Sequence, residues 1–191
     1  MTENGDAATR RLFFALWPPA ELAAGLDAIA SAAAQRFGGK ASRREKLHLT
    51  LAFLGEQSVA ILPALHDAAR RVAAAPFDLV VDRLGLWRHN RLLWAGCAPS
   101  PGLDALAAQL GAALASAGIT WTERQRAFKP HLTLARKLPA ATPAAEITAI
   151  SCAGLPAWPC TRFVLAASQP SAAGSLYSPL AEFPLTAVVA K

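Results

Sequence analysis

A pentapeptide occurs twice in this chain. His48-Leu49-Thr50-Leu51-Ala52 returns unchanged as His131-Leu132-Thr133-Leu134-Ala135, so two of the four histidines stand in identical surroundings. A histidine with a hydroxyl two residues on suits proton transfer beside an anion: imidazole titrates near neutral pH and threonine can donate to a charged oxygen. The spacing fits a strand. Residues i and i+2 of a strand share a face, whereas the same step on a helix turns side chains roughly 200° apart. His48 and Thr50 would then share one face, and so would His131 and Thr133, with Leu47, Leu49, Leu51, Leu132 and Leu134 directed into a core. Two such strands side by side would bring two imidazoles and two hydroxyls into one cleft.

The elements that must position these strands can be read in order. Met1–Thr9 is polar and small and reads as a frayed terminus, extending to about residue 10. A strand over Leu12–Trp17 ends at Pro18-Pro19, and a helix over Glu21–Arg36 stops at Gly38-Gly39. The first motif strand spans Lys46–Gly55. Ser58 caps a helix reaching about Ala74, with Pro63 in its early part. Phe77–Leu84 is a strand, Trp87–Asn90 a turn and Leu92–Cys97 the antiparallel partner. Pro99-Ser100-Pro101-Gly102 marks a mid-chain boundary before a helix over Leu103–Ala117. The second motif strand covers Phe128–Leu138, then a loop over Pro139–Ala145 and a strand over Cys160–Ser168. A loop at 170–175 and strands at Leu176–Pro184 and Thr186–Val189 close the chain. Strands and helices on either side of the boundary form a rough internal repeat around the two motifs. No βαβ alternation, Gly-x-Gly-x-x-Gly run or Walker loop is present, which excludes a Rossmann-type reading.

Composition sets the class. The chain has 191 residues, 53% hydrophobic and 17% charged, enough for a substantial core in one domain. Its apolar runs are interrupted well before the roughly 20 residues a bilayer span requires, and Leu12–Trp17 is too short for a signal-peptide core. Cys97, Cys152 and Cys160 are odd in number and lack CxxC spacing, so neither a disulfide framework nor a zinc site is indicated. A cytoplasmic monomer without cofactor is expected. The net charge of +6 suits a phosphate-bearing partner.

The motifs sit in a wider pattern: Arg11-Leu12-Phe13-Phe14-Ala15-Leu16, then Ala52-Phe53-Leu54-Gly55-Glu56 after the first motif. Phe128-Lys129-Pro130 precedes the second and Arg136 follows it, with Phe163-Val164-Leu165 to Ser168 and Tyr177-Ser178-Pro179-Leu180 near the end. Over about residues 11–189 this resembles the two-histidine phosphoesterase superfamily, in its RNA 2′,3′-cyclic phosphodiesterase or 2′-5′ RNA ligase branch. The resemblance implies an α+β fold of two pseudo-symmetric lobes, each an antiparallel sheet with outer helices, around a central cleft. Residues 1–191 would form that single bilobal domain. It implies metal-independent hydrolysis of RNA 2′,3′-cyclic phosphate ends to 2′-phosphomonoesters, with His48 as proton donor and His131 as acceptor. Thr50, Thr133 and Arg136 would bind the phosphate.

Arg136 poses a geometric difficulty. It lies an odd five residues beyond His131, so a bulge or the strand's end must turn it inward. Phe53 occupies the equivalent place in the first motif, leaving the site asymmetric in charge. Phe14 is a candidate to stack on a nucleobase, with core packing as its alternative, and Tyr177 a candidate to line the cleft. Arg43, Arg44 and Lys46 either guide an RNA backbone or form a solvated loop. His66 and His89 read as surface residues, and the five tryptophans as packing residues. The alternatives are 2′-5′ RNA ligation by the same residues, a non-catalytic RNA-end binding protein and a metallohydrolase. No Asp or Glu within the motifs completes a ligand set for the last.

Overall fold

The computed structural model describes residues 8–122, 127–170 and 175–186. In chain order the elements are β1 (Thr9–Leu16), α1 (Ala20–Phe37), β2 (Lys40–Ala41), β3 (Leu49–Ser58), α2 (Leu62–Arg70), β4 (Phe77–Leu79), β5 (Val81–Trp87) and β6 (Leu92–Cys97), followed by α3 (Pro101–Ser116), β7 (Leu132–Arg136), α4 (Ala144–Thr148), β8 (Trp158–Cys160), β9 (Arg162–Gln169) and β10 (Leu176–Pro184). The fold is α+β. Eight strands form one sheet in the order β10-β9-β1-β3-β7-β6-β5, with β2 added beside β7, and every pairing is antiparallel.

The two half-sheets meet at the motif strands. Leu49 of β3 pairs with Leu132 of β7, and it is the one registered pair between those strands. These are the residues immediately after the two histidines, so the internal repeat becomes a pseudo-two-fold arrangement about this pair. The halves expected as separate sheets are therefore one sheet, hinged at a single residue pair. Leu47, Leu49, Leu51, Leu132 and Leu134 are all buried in the core.

Local sequence explains most element ends. In α1, Leu22, Ala23, Leu26, Ala30 and Ala33 recur at helical spacing and are buried, and the helix stops where Gly38 and Gly39 take φ of 84° and 98°. Ser100 caps α3 by accepting from the Leu103 N–H at 3.3 Å.

Five readings change. The helix expected from Ser58 to Ala74 is a 3-10 turn over Val59–Ile61 followed by α2, which ends at Arg70. Pro63 lacks an N–H and is tolerated only in a first helical turn, so the α-helix starts beside it rather than at Ser58. The strand expected over Phe77–Leu84 divides at exposed Val80: β4 pairs with β8 as a separate ribbon, and β5 joins β6. Cys160–Ser168 divides likewise between β8 and β9, and the Pro139–Ala145 loop runs into the short helix α4 around buried Ile147. Thr9 and Arg10, read as terminus, belong to β1. Residues 1–7, most of the 170–175 loop and most of the strand expected at Thr186–Val189 lie outside the described residues. Among the described residues no helix is long and apolar enough to cross a membrane.

Candidate active site

Each histidine stands one residue before its strand rather than within it. The backbone explains why: His48 donates through Nδ1–H to the Lys46 carbonyl oxygen at 2.7 Å, and His131 likewise to Lys129 at 2.8 Å. Each ring thus takes up a carbonyl two residues back. With Nδ1 carrying the hydrogen, the neutral ring keeps its lone pair on Nε2, the atom that can exchange a proton with a ligand. By the register of the Leu49–Leu132 pair, His48 lies across from Thr133, and Thr50 across from His131. His48, Thr50, His131, Thr133, Arg136 and Tyr177 line one polar cleft of about 410 Å³.

A pair of bulges aims the side chains. In β3, Thr50 pairs with Ala15 and Ala52 with Phe14, so Leu51 is an extra residue against β1. In β7, Thr133 pairs with Trp94 and Ala135 with Leu93, so Leu134 is extra against β6. Leu51 and Leu134 hold the same place in the repeated pentapeptide. Each bulge shifts the alternation by one, so residues three apart share the cleft face: Thr50 with Phe53, and Thr133 with Arg136. The odd offset of Arg136 is resolved in this way.

Electrostatics separates His48 from an ordinary histidine. Burial lowers its pKa from 6.5 to about 4; its bond to the Lys46 carbonyl works the other way, and the charges of His131 and Arg136 push it down further. The ring is packed among aromatics. Trp17 stacks at a centroid distance of 5.4 Å, Phe13 lies at 5.0 Å and Tyr177 meets it edge-on at 5.0 Å. Across the cleft, Trp87 meets His131 edge-on at 4.5 Å. One tryptophan thus braces each imidazole.

A model of the 2′-5′ RNA ligase superfamily matches residues 18–169 of this chain. The chain belongs to that superfamily. It is similar to the RNA 2′,3′-cyclic phosphodiesterase of Escherichia coli, 36% identical over 182 residues that cover 93% of this chain and 97% of that protein. The protein of the same name from Thermus thermophilus is 31% identical over 183 residues, 92% of this chain and 90% of that one. The crystal structure of E. coli LigT complexed with 3′-AMP superposes with a TM-score of 0.83 at 32% identity, over 94% of this chain and 99% of that chain.

Set within this 2′-5′ RNA ligase fold, the expected residues divide plainly. His48, His131, Thr50, Thr133, Arg136 and Tyr177 come together. Phe14 does not: it is fully buried on the other face of β1, packed against Phe163 and Phe183. Its neighbour Phe13 has the cleft-side place. Alternation required one phenylalanine on each face, and the sequence alone leaves the choice between them open. Four contributors went unread. Trp17 and Trp87, taken as packing residues, flank the histidines. Ser168 lines the cleft while only 6% exposed. Arg11 also lines it, with its guanidinium 5.1 Å from the centre of the Phe53 ring. Phe53 is where the first motif lacks the arginine of the second, so β1 supplies the missing cation. Arg11 shares a strand face with Phe13, so it could be placed at the cleft only once the structure had shown which phenylalanine faces it. A separate cavity of about 430 Å³ lies beyond Trp17 and Tyr177, lined by prolines and Trp158 together with Glu45, Arg162 and Glu182. It holds no histidine, whereas His48 and His131 both line the polar cleft.

Proposed function

We propose that this chain opens RNA 2′,3′-cyclic phosphate ends by hydrolysis, leaving 2′-phosphomonoesters, with no metal in the reaction. The observation that carries the reading is the pseudo-symmetric pair of His-Thr units in one cleft with guanidinium groups at its wall. In-line attack at phosphorus needs a base where water enters and an acid where the ribose oxygen leaves, on opposite sides. Two imidazoles from two half-sheets meet that demand. His131 takes the proton from water as the new P–O bond forms. His48 gives its proton to O3′ as the P–O3′ bond breaks, and the phosphate stays on O2′. Thr50, Thr133 and Arg136 hold the non-bridging oxygens, where charge accumulates. Among the described residues no three His, Cys, Asp or Glu side chains converge as a metal-ligand set. The proteins named RNA 2′,3′-cyclic phosphodiesterase, similar along nearly the whole chain, support the same chemistry.

The reading takes residues 1–191 as one two-lobed unit acting as a cytoplasmic monomer, since residues of both halves of one chain line the cleft. The test is to incubate a short RNA ending in 2′,3′-cyclic phosphate with protein and EDTA, then treat the product with a phosphatase specific for 3′-monophosphates. Turnover with a phosphatase-resistant product is expected, and complete dephosphorylation would overturn the assigned leaving oxygen. His48→Ala and His131→Ala should each slow turnover by about 10²–10⁴-fold, as lost general acid–base catalysis does. Near-normal turnover by either variant would sink the two-histidine mechanism.

A further inference from the structure

Two polar residues are buried among the described ones, Thr142 at 3% exposure and Ser168 at 6%. Thr142 donates to the Pro139 carbonyl oxygen at 2.8 Å. Ser168 lines the polar cleft, and its hydroxyl makes no hydrogen bond with the described residues. A polar group buried without a partner costs free energy, which an acceptor on a ligand would offset.

The sheet gives this hydroxyl a charged neighbour. Ser168 stands directly opposite Arg11 in the β1–β9 pair and opposite Tyr177 in the β9–β10 pair, so the three share a face, and all three line the cleft. Arg11 has no carboxylate within ion-pair distance among the described residues. This row belongs to the half-sheet of the first motif, where β1 pairs with β3. On the other half-sheet, β7 carries both Thr133 and Arg136. The cleft therefore has two polar walls, one of Thr50, Arg11 and Ser168, the other of Thr133 and Arg136.

The symmetry of in-line displacement gives these walls separate tasks. Entering water and leaving O3′ are apical at phosphorus, while O2′ and the two non-bridging oxygens are equatorial. A two-fold axis along the P–O2′ bond exchanges the apical atoms with each other and the non-bridging oxygens with each other. The two histidines match the first exchange, and the two walls match the second. We propose that Ser168 is a catalytic residue that donates, with Arg11, to one non-bridging oxygen, while Thr133 and Arg136 hold the other. The inference rests on the cyclic phosphodiesterase reading and adds to it a residue and a stereochemical assignment. Charge builds on both oxygens in the transition state, so each wall acts on the rate.

The test compares wild type, Ser168→Ala and Arg136→Ala on a short RNA ending in 2′,3′-cyclic phosphate and on the two phosphorothioate diastereomers of that end. Each diastereomer carries sulfur, a weak acceptor, in place of one non-bridging oxygen. Sulfur at the oxygen held by Ser168 removes the contact beforehand, so Ser168→Ala should change little there. On the other diastereomer and on the unmodified end, Ser168→Ala should lower kcat/KM by about 10- to 100-fold, the scale of one hydrogen bond to a charged oxygen. The ratio of rates on the two diastereomers then shifts by that factor, and Arg136→Ala should shift it in the opposite direction. The ratio is internal to each variant, so a smaller folded fraction leaves it unchanged. A ratio in Ser168→Ala equal to that of wild type, or shifted in the same direction as in Arg136→Ala, would overturn the assignment while leaving the phosphodiesterase reading intact. A wild-type protein inactive on the unmodified end would overturn both.

Discussion

His48, with a pKa lowered to about 4, is neutral at neutral pH, yet the proposed mechanism asks it to donate a proton. A phosphate bound as proposed would supply the difference: an anion against the ring favours imidazolium, in opposition to burial and to the charges of His131 and Arg136. Following the His48 ring protons by NMR should show the pKa rising from near 4 toward 6.5 when a nucleoside 2′-monophosphate binds. If it stayed near 4, the acid role would pass to His131. The same shift has a stability consequence. Folded His48 binds its proton more weakly than the unfolded chain does, so between pH 6.5 and 4 the unfolded state takes up more protons and stability falls as pH drops. Urea midpoints across that window should fall further for wild type than for His48→Gln, and parallel curves would mean the ring is not desolvated. Charge at the other wall is shared. Arg11→Ala and Arg136→Ala should each reduce kcat/KM by about 10²–10³-fold, the scale of a lost transition-state contact, while exposed Arg44→Ala should leave it near wild type. Equal, small effects from all three would make Arg11 and Arg136 ordinary surface charges.

Among the elements, the β5–β6 hairpin sets the second histidine. Gly85 faces Trp94 across it, and a Cβ there would lie 2.2 Å from the indole Cζ2. Trp94 stands opposite Thr133 in the β6–β7 register, and its ring is 5.6 Å from Trp87, which braces His131. A methyl group at Gly85 has nowhere to go unless the indole moves, and overpacking of this kind costs about 1–3 kcal/mol. Gly85→Ala should therefore lose stability in urea denaturation and also lower kcat, because the displaced tryptophan no longer holds the imidazole. A variant as stable and as active as wild type would show that Trp94 repacks freely. The bulges at Leu51 and Leu134 act on the same scale, each converting an i, i+2 face into an i, i+3 face, so that a threonine and the residue three places on both line the cleft.

For the molecule as a whole, the join between half-sheets is narrow. Leu49 and Leu132 are fully buried where β3 and β7 pair, directly beside both motifs. Leu132→Ala should cost about 2–5 kcal/mol, the range for a buried leucine, and should impair catalysis more than its stability loss explains, since the cavity opens between the two His-Thr units. Urea denaturation with kcat measured well below the midpoint checks both parts; full activity in a destabilised variant would mean the halves are aligned elsewhere. The charge of +6 works over a longer range, drawing a polyanion toward the basic side of the cleft.

Much of this was legible in the sequence because it is local. The repeated pentapeptide placed two histidines and two threonines, Gly38-Gly39 and the Pro99–Gly102 boundary bounded helices, and the odd offset of Arg136 required either a bulge or the strand's end. What remained depended on partners distant in the chain. Leu12–Leu16 is buried on both faces, so no hydrophobic alternation could tell Phe13 from Phe14. The breaks at Val80 and Thr161 occur because β4 and β8 pair with each other and leave the main sheet, a choice that apolar composition does not encode. Arg11, Trp17 and Trp87 acquire their places at the site only when β1 and β5 are laid beside the motif strands. Pattern along a strand states which residues share a face, and tertiary packing alone decides which face meets the cleft.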